Sequence, residues 1–159
     1  MITKELLELL FNYKDGHLYW KNTFSRIKTG QMAGSPSTRG YWVVGIRQKR
    51  YKLHRLIFMM HHGFMPKYVD HIDGNTSNNK IENLRTATAA QNAYNAKKPQ
   101  NNTSGLKNIS WDKEHNKWVV RIGIDGVLKN FGRYNDIDYA KFIAEAMRYK
   151  YHKQYARTQ

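Results

Sequence analysis

Four side chains between positions 70 and 92 have the types and spacing needed to hydrolyse a phosphodiester bond. They are Asp70, His71, Asn83 and Asn92. This hydrolysis needs an activated water, a cation near the developing negative charge, and a fixed orientation for both. An imidazole suits the general base, and carboxylate and amide oxygens suit a hard cation such as Mg²⁺. The residue types therefore predict His71 as base and Asp70 and Asn92 as metal ligands.

A catalytic imidazole must also be held in one tautomer, which requires an acceptor on its other nitrogen. Asn83 is the candidate for that role. Taken singly, these residues have ordinary explanations, since an Asp-His pair is commonly a surface feature and an Asn commonly bonds backbone. The occurrence of all four residues in this order favours a catalytic, metal-binding site.

The surrounding residues predict a strand, a turn-forming loop, a second strand and a helix. In the strand 69–72, neighbouring Asp70 and His71 point to opposite faces, so one can bind a metal while the other faces a separate partner. Asp73 and Asn75 are interpreted as turn residues of the loop. Thr88 and Gln91 form a capping box, so the helix begins near Ala89 and its first turn contains Asn92.

Further elements are predicted upstream. A short helix follows Thr3, a tight turn lies at Asp15-Gly16, and a hairpin turns around Arg47–Arg50. A helix containing Leu56, Met59 and Met60 ends at Gly63. Three histidines lie in this last segment: His54 is expected to pack or bond locally, and His61 and His62 to cap the helix or contact phosphate.

Downstream, a polar stretch from Lys97 to Gly105 contains Pro and no apolar residue, which is typical of a linker. We therefore predict a nuclease-type domain at 1–97 with its core at about 68–96, a linker at 98–104, and a second domain at 105–159. Strands near 106–111, 117–124 and 127–134 precede a long helix. The predicted fold class is α+β, with a three-stranded antiparallel sheet packed on one helix in the second domain.

The charge predicts a polyanionic partner. The 159 residues include 27 Lys and Arg against 12 Asp and Glu, a formal net charge of +15, and both predicted domains are basic. A nucleic-acid backbone is the commonest polyanion in a cytoplasm. A solvated or ribosomal basic surface is the alternative that charge alone leaves open.

Composition also excludes several classes of protein. With 40% apolar residues and no cysteine, the chain has material for a core but no disulfide framework and no thiolate zinc site. The longest apolar run, Leu56 to Met60, is far too short to cross a membrane, and the amino terminus lacks a signal-peptide pattern. We expect a protein of the cytoplasm, that of the host cell if it is phage-encoded, with no membrane partner.

The sequence resembles a known family, the HNH nucleases with a ββα-metal active site, in the branch found in phage and group I intron homing endonucleases. The resemblance covers most of residues 5–97. It rests on the segments Gly40-Tyr41-Trp42, His54-Arg55-Leu56, Val69-Asp70-His71-Ile72-Asp73-Gly74-Asn75, Asn83-Leu84-Arg85 and Gln91-Asn92.

The resemblance implies the same roles as the residue types do: Asp70 and Asn92 as ligands, His71 as general base and Asn83 as the residue orienting it. It also implies one divalent cation, Mg²⁺ with Mn²⁺ as a substitute. The last motif position is Asn rather than the second His of the name. Cysteine pairs are absent, so no structural zinc is predicted. Arg55 and Arg85, within the matching segments, are candidate DNA contacts.

The second domain resembles the plant ethylene-response-factor type of DNA-binding domain, over about residues 104–155. Its matching segments are Gly105–Trp111, Lys117–Ile122, Phe131–Tyr134 and Asp138–Ala140. The resemblance implies that the sheet enters the major groove. Ser110, Asp112 and Gly123 replace arginines typical of the plant pattern, so the plant target sequence is not expected.

We predict that Arg121, Lys113, Lys129 and Asn130 contact DNA, with a solvated basic face as the alternative. Trp118, Val120 and Ile122 alternate with Arg121 and should face the helix.

The leading hypothesis is a metal-dependent endonuclease acting on double-stranded DNA, of the homing type, as a monomer or a DNA-induced dimer. A DNA-binding regulator with a degenerate nuclease fold is the rival. A toxin or restriction nuclease is a third hypothesis, in which the same hydrolysis of DNA would serve a different biological role.

Overall fold

The computed structural model describes residues 2–23, 26–38 and 40–157. It is a mixed α/β structure with several small sheets, and its residues cluster into two compact units, Met1–Ala87 and Thr88–Gln159. The last two residues of the predicted second domain lie outside the described residues. Among the described helices, none has the length and apolar character needed to cross a membrane.

The first unit begins with a helix and a hairpin. Helix α1, Lys4–Leu10, starts where the Thr3 hydroxyl accepts a hydrogen bond from the amide of Leu6. Strands β1, Phe11–Lys14, and β2, His17–Trp20, pair in antiparallel fashion through a turn in which Asp15 and Gly16 both have positive φ. The predicted cap and turn are confirmed.

The next sheet leads into the central helix of this unit. Its strands are β3, Ser35–Pro36, β4, Trp42–Ile46, and β5, Lys49–Lys52. The predicted hairpin is confirmed with a tighter turn, because Arg47 and Gln48 both adopt positive φ and the chain reverses within two residues. Helix α2, Leu53–His62, follows at once and ends at Gly63, whose φ of 76° is left-handed.

Helix α2 supplies the core of the first unit. Leu53, Leu56, Ile57 and Phe58 are buried against α1, the hairpin and the next two strands. Those strands, β6, Tyr68–His71, and β7, Leu84–Ala87, form an antiparallel pair, and a 3-10 turn at Ile81–Asn83 lies directly before β7. Val69 and Leu84 bury one side of the pair in the core, which fixes the register of their neighbours.

The second unit begins with helix α3, Ala89–Tyr94, which has the predicted capping box of Thr88 and Gln91. Its sheet consists of β8, Ile109–Asp112, β9, Lys117–Ile124, and β10, Val127–Tyr134, in the order β10-β9-β8. Strand β8 starts later than predicted, since Asn108 has a φ of 68°.

Helix α4, Ile137–His152, packs against one face of this sheet. Ala140 and Ala144 contact a cluster that includes Val120 and Ile122, with Trp118 partly buried beside it. The predicted alternation along β9 is confirmed. Arg148 was not anticipated as a core residue: it is 2% exposed, and its guanidinium donates to the carbonyl of Lys107.

Candidate active site

Asp70 is held by an arginine on the neighbouring strand. Asp70 and Arg85 are direct cross-strand partners, and Nε and Nη2 of Arg85 both lie 2.9 Å from Oδ2 of Asp70. Asp70 is buried, and a buried carboxylate needs such a compensating charge. Arg85, a predicted DNA contact, therefore forms an ion pair with Asp70, a predicted metal ligand.

His71 is buried and has a partner that the sequence did not indicate. Its Nε2 lies 3.0 Å from Oδ1 of Asn79, which is itself 2% exposed. The amide oxygen can only accept, and the amide nitrogen of Asn79 donates to the carbonyl of Ser77. Nε2 therefore donates, and in the neutral ring Nδ1 carries the lone pair that a general base needs.

Asn83 holds the loop that carries Asn79. Its Oδ1 accepts from the amide of Asp73, and its Nδ2 donates to Oδ1 of Asp73 and to the carbonyl of Asn78. The contact that orients Nε2 of His71 is with Asn79, the residue after Asn78. The side-chain amide of Asn83 thus supports this arrangement through the loop backbone, and a direct orienting role for Asn83 stays a prediction.

Asp73 and Asn75 are loop-forming residues, as predicted. Asp73 accepts from the amide of Asn75 at 2.8 Å and from Nδ2 of Asn78 at 2.7 Å, and Asn75 accepts from the amide of Ser77. Burial raises the pKa of Asp73, but the hydrogen bonds from Asn78, Asn75 and Asn83 outweigh it and leave the pKa below its usual value. The loop is therefore built around an ionised Asp73.

The β1–β2 hairpin packs against the loop that carries Asn79. The Tyr13 hydroxyl accepts from the amide of Ile81 at 3.1 Å. A Cβ added at Gly16 would lie 2.8 Å from the amide nitrogen of Lys80 and 3.0 Å from the carbonyl carbon of Asn79. The hairpin turn approaches the loop so closely that only glycine fits.

His54 packs against His71. The ring centroids are 4.7 Å apart, and the ring of Tyr41 lies 5.4 Å from His54 and 6.2 Å from His71. Burial, with the nearby His71, Lys52 and Arg55, lowers the pKa of His54 to about 3, so this ring is neutral. Lys52 Nζ lies over the Tyr41 ring at 3.9 Å. The local packing predicted for His54 is confirmed, and it bears directly on the predicted base.

The remaining candidates of the first unit contact the backbone or the core. Arg55 donates to the carbonyls of Pro66 and Lys67, at 2.8 and 3.0 Å, which secures the segment before β6. His61 Nδ1 lies 2.9 Å from the carbonyl of Ile57, and His62 packs on Phe58. DNA contacts by Arg55 and Arg85 stay predictions.

Asn92 lies in the first turn of α3, as predicted, and belongs to the second unit. It is exposed. A carboxylate and an amide are hard oxygen donors, and the chain has no thiol, so the donor types of Asp70 and Asn92 fit Mg²⁺ or Mn²⁺.

The exposed face of the second sheet carries some, but not all, of the predicted DNA contacts. Arg121 and Asn130 are exposed cross-strand partners and so share the face opposite α4. Lys113 is exposed in the turn after β8. Lys129 pairs with Ile122 and therefore lies on the side of the sheet that faces α4. Arg121 and Asn130 are the pair best placed to act together.

A second group of metal-type ligands occurs in this unit. Asp112, Glu114 and His115 have ligand atoms within 4.8 Å of one another. Asp112 accepts from Nε of Arg133 at 2.7 Å and lies 3.1 Å from Nδ1 of His115. The Arg133 hydrogen bond holds the pKa of Asp112 well below its usual range. Within this group, Asp112 is therefore already engaged by Arg133 and His115.

Comparison with known proteins gives the family. The HNH endonuclease family model matches residues 51–94, from β5 to α3. Protein 3.8 of Escherichia phage T7 is 40% identical over 97 residues, which cover 60% of this chain and 79% of the T7 protein. The chain contains an HNH endonuclease domain. A domain of this family implies a nuclease.

A second relative, which is named as an HNH endonuclease, is a larger viral protein. The uncharacterized HNH endonuclease L560 of Acanthamoeba polyphaga mimivirus is 42% identical over 82 residues, half of this chain and 43% of that protein. The chain therefore spans less than half the length of that relative. No solved structure matches the chain.

Proposed function

We propose that this HNH protein is a divalent-metal-dependent endonuclease that hydrolyses phosphodiester bonds of double-stranded DNA. The observation that carries the proposal is the contact between Nε2 of the buried His71 and Asn79, because it selects the tautomer whose proton-accepting lone pair is on Nδ1. A histidine held in this way suits a general base better than a surface histidine does, because its tautomer and orientation are set in advance.

Residues of this chain divide the work of hydrolysis. His71 takes a proton from the attacking water at Nδ1, and Asn79 keeps the ring oriented while it does so. Asp70 and Asn92 would hold the cation. When bound, Mg²⁺ or Mn²⁺ supplies positive charge for the phosphate oxygens as negative charge develops on them. The charge of Arg85 limits the cost of burying Asp70 in this site.

Recognition of DNA is proposed to involve the second domain. The net charge of +15 favours a polyanion, and Arg121 with Asn130 lies on the sheet face that α4 leaves uncovered. A three-stranded sheet of this kind can enter the major groove. The resemblance to ethylene-response-factor domains supports a site-recognising enzyme, for which we propose the homing type, acting as a monomer or as a DNA-induced dimer. The T7 relative supports a phage setting.

The test is cleavage of defined phage and host DNA, with both strands end-labelled and products separated on a denaturing gel. Full-length protein is incubated with Mg²⁺, Mn²⁺, Zn²⁺ or excess chelator. We expect discrete products with Mg²⁺ or Mn²⁺ and none with chelator. Tight DNA binding with no cleavage under any metal would instead support a DNA-binding regulator with a degenerate nuclease fold. Products on one strand identify a nickase, and products on both strands a double-strand cutter.

A further inference from the structure

The end of helix α3 is tied to the sheet and helix that follow it. Tyr94, the last residue of α3, contacts Asp125 in the β9–β10 turn: its hydroxyl donates to Oδ1 at 3.0 Å and accepts from the Asp125 amide at 2.6 Å. Its ring stacks on that of His152, at the end of α4, with centroids 3.7 Å apart and planes within 5°. The side chain of Tyr94 is therefore held by two segments that are distant in sequence, the β9–β10 turn and the end of α4.

Lys107 completes this arrangement at the backbone. Its ammonium donates to the carbonyls of Tyr94 and Ala96, at 2.7 and 2.6 Å. The last carbonyls of a helix have no partner within the helix, and a cation there also complements the helix dipole. We call Tyr94, Lys107, Asp125 and His152 the α3 clamp.

The clamp is itself fixed to the second unit. Nε2 of His152 lies 2.8 Å from the carbonyl of Gly123 in β9, and the guanidinium of Arg148 donates to the carbonyl of Lys107. Asn95, directly after Tyr94, is 5% exposed. All of these contacts lie within the unit Thr88–Gln159, and they involve β9, α4 and the segment before β8.

Helix α3 depends on such support because it is short. It has six residues, and an isolated helix of that length is not stable in water. Its amino end has the Thr88 capping box, so the clamp supplies the matching restraint at the carboxyl end. Asn92 lies between these two restraints.

We propose that the C-terminal domain positions Asn92 for metal binding through the α3 clamp, in addition to contacting DNA. The inference rests on the proposed function, in which Asn92 is a metal ligand. It changes the expected division of labour, because a nuclease domain of residues 1–97 would contain Asn92 but lack Lys107, Asp125 and His152. Tyr94 is then a positioning residue for the metal site.

The test compares full-length Tyr94→Ala, Tyr94→Phe and Tyr149→Ala. Tyr149 is the matched control, an 80% exposed tyrosine on α4. Amide hydrogen exchange is followed in α3 and β9 without metal or DNA, and Mn²⁺ affinity is measured by electron paramagnetic resonance. Exchange reports helix order, and Mn²⁺ affinity reports ligand placement, so neither readout requires cleavage.

In Tyr94→Ala we expect α3 amides to exchange roughly tenfold faster or more, with β9 amides unchanged. Mn²⁺ affinity should fall by about ten- to a hundredfold, as for removal of residues that orient metal ligands. Tyr94→Phe keeps the ring stack and should recover part of both effects, while Tyr149→Ala should match wild type.

Unchanged α3 exchange in Tyr94→Ala would overturn the inference. So would faster exchange with normal Mn²⁺ affinity. Asn92→Ala separates these failures from failure of the proposed function: if it loses Mn²⁺ binding, the ligand assignment stands and only the clamp is wrong. Normal Mn²⁺ binding by Asn92→Ala would reject Asn92 as a ligand and, with it, the inference.

Discussion

Oδ1 of Asn79 lies 3.0 Å from Nε2 of His71, and both residues are buried. This contact sets which nitrogen of the predicted base can accept a proton. Because Asn79 belongs to a loop braced by Asn83, Asp73 and the β1–β2 hairpin, the base depends on residues distributed over the first unit.

Asn79→Ala should slow cleavage by about ten- to a hundredfold while leaving DNA affinity nearly unchanged, since orienting partners typically contribute this much. The measurement is the single-turnover rate at saturating protein and metal. Asn101→Ala, a substitution at an exposed asparagine of the 98–104 segment, is the control. A wild-type rate in Asn79→Ala would show that the base does not depend on this contact.

Gly16→Ala should destabilise the protein more than Gly30→Ala. Both glycines have φ near +80°, so alanine costs about 1 kcal/mol of backbone strain at either position. Only at Gly16 would the new Cβ also meet backbone, that of Asn79 and Lys80, whereas nothing lies within 4 Å at Gly30. Denaturant unfolding of the two variants tests this, and equal losses of stability would contradict the close approach.

His54 makes stability depend on pH. Its pKa of about 3 lies below the value of 6.5 in the unfolded chain, so between these values the unfolded state binds more protons. The free energy of unfolding should therefore fall as the pH drops below about 6.5. His54→Phe should lose this component, so its stability should decline less than that of wild type between pH 7 and 5. Parallel pH profiles of the two proteins would reject the buried neutral His54.

Arg85 and Arg121 should respond differently to replacement by Met. Arg85→Met leaves Asp70 buried without its ion pair and should cost about 3 kcal/mol of stability. Arg121 is exposed, so Arg121→Met should leave stability nearly unchanged and reduce the salt slope of DNA binding by about 1 if it contacts a phosphate. A stable Arg85→Met protein with a reduced salt slope would contradict the structural role of the ion pair and support Arg85 as a DNA contact.

Local patterns predicted most of the elements, because their causes are local. The Thr3 and Thr88 caps, the Asp15-Gly16 turn and the alternation along β9 each depend on a few neighbouring residues. The sequence predicts the hairpin around Arg47–Arg50 but not that its turn is limited to Arg47 and Gln48, because neither residue type favours the positive φ that the strand pairing imposes.

The site partners were harder to predict, because they depend on how distant segments pack. Asn79 lies in a run of polar loop residues, and nothing in its neighbours distinguishes it as the one that is buried on His71. Arg85 could be predicted as a basic residue near the site, but its position opposite Asp70 follows from strand register. The contacts of Lys107 and His152 with Tyr94 depend on the packing of the whole second unit.

The assignment of His71 as the general base is tested by the single-turnover cleavage rate of His71→Ala on duplex DNA at saturating Mg²⁺. Wild type and the exposed-histidine variant His115→Ala are the controls. DNA affinity and thermal unfolding of each protein are measured in parallel. We expect His71→Ala to bind DNA and fold normally but to cleave about 10²- to 10⁴-fold more slowly, the usual contribution of a general base, while His115→Ala cleaves at the wild-type rate. Cleavage by His71→Ala at a tenth of the wild-type rate or more would contradict the assignment of the base.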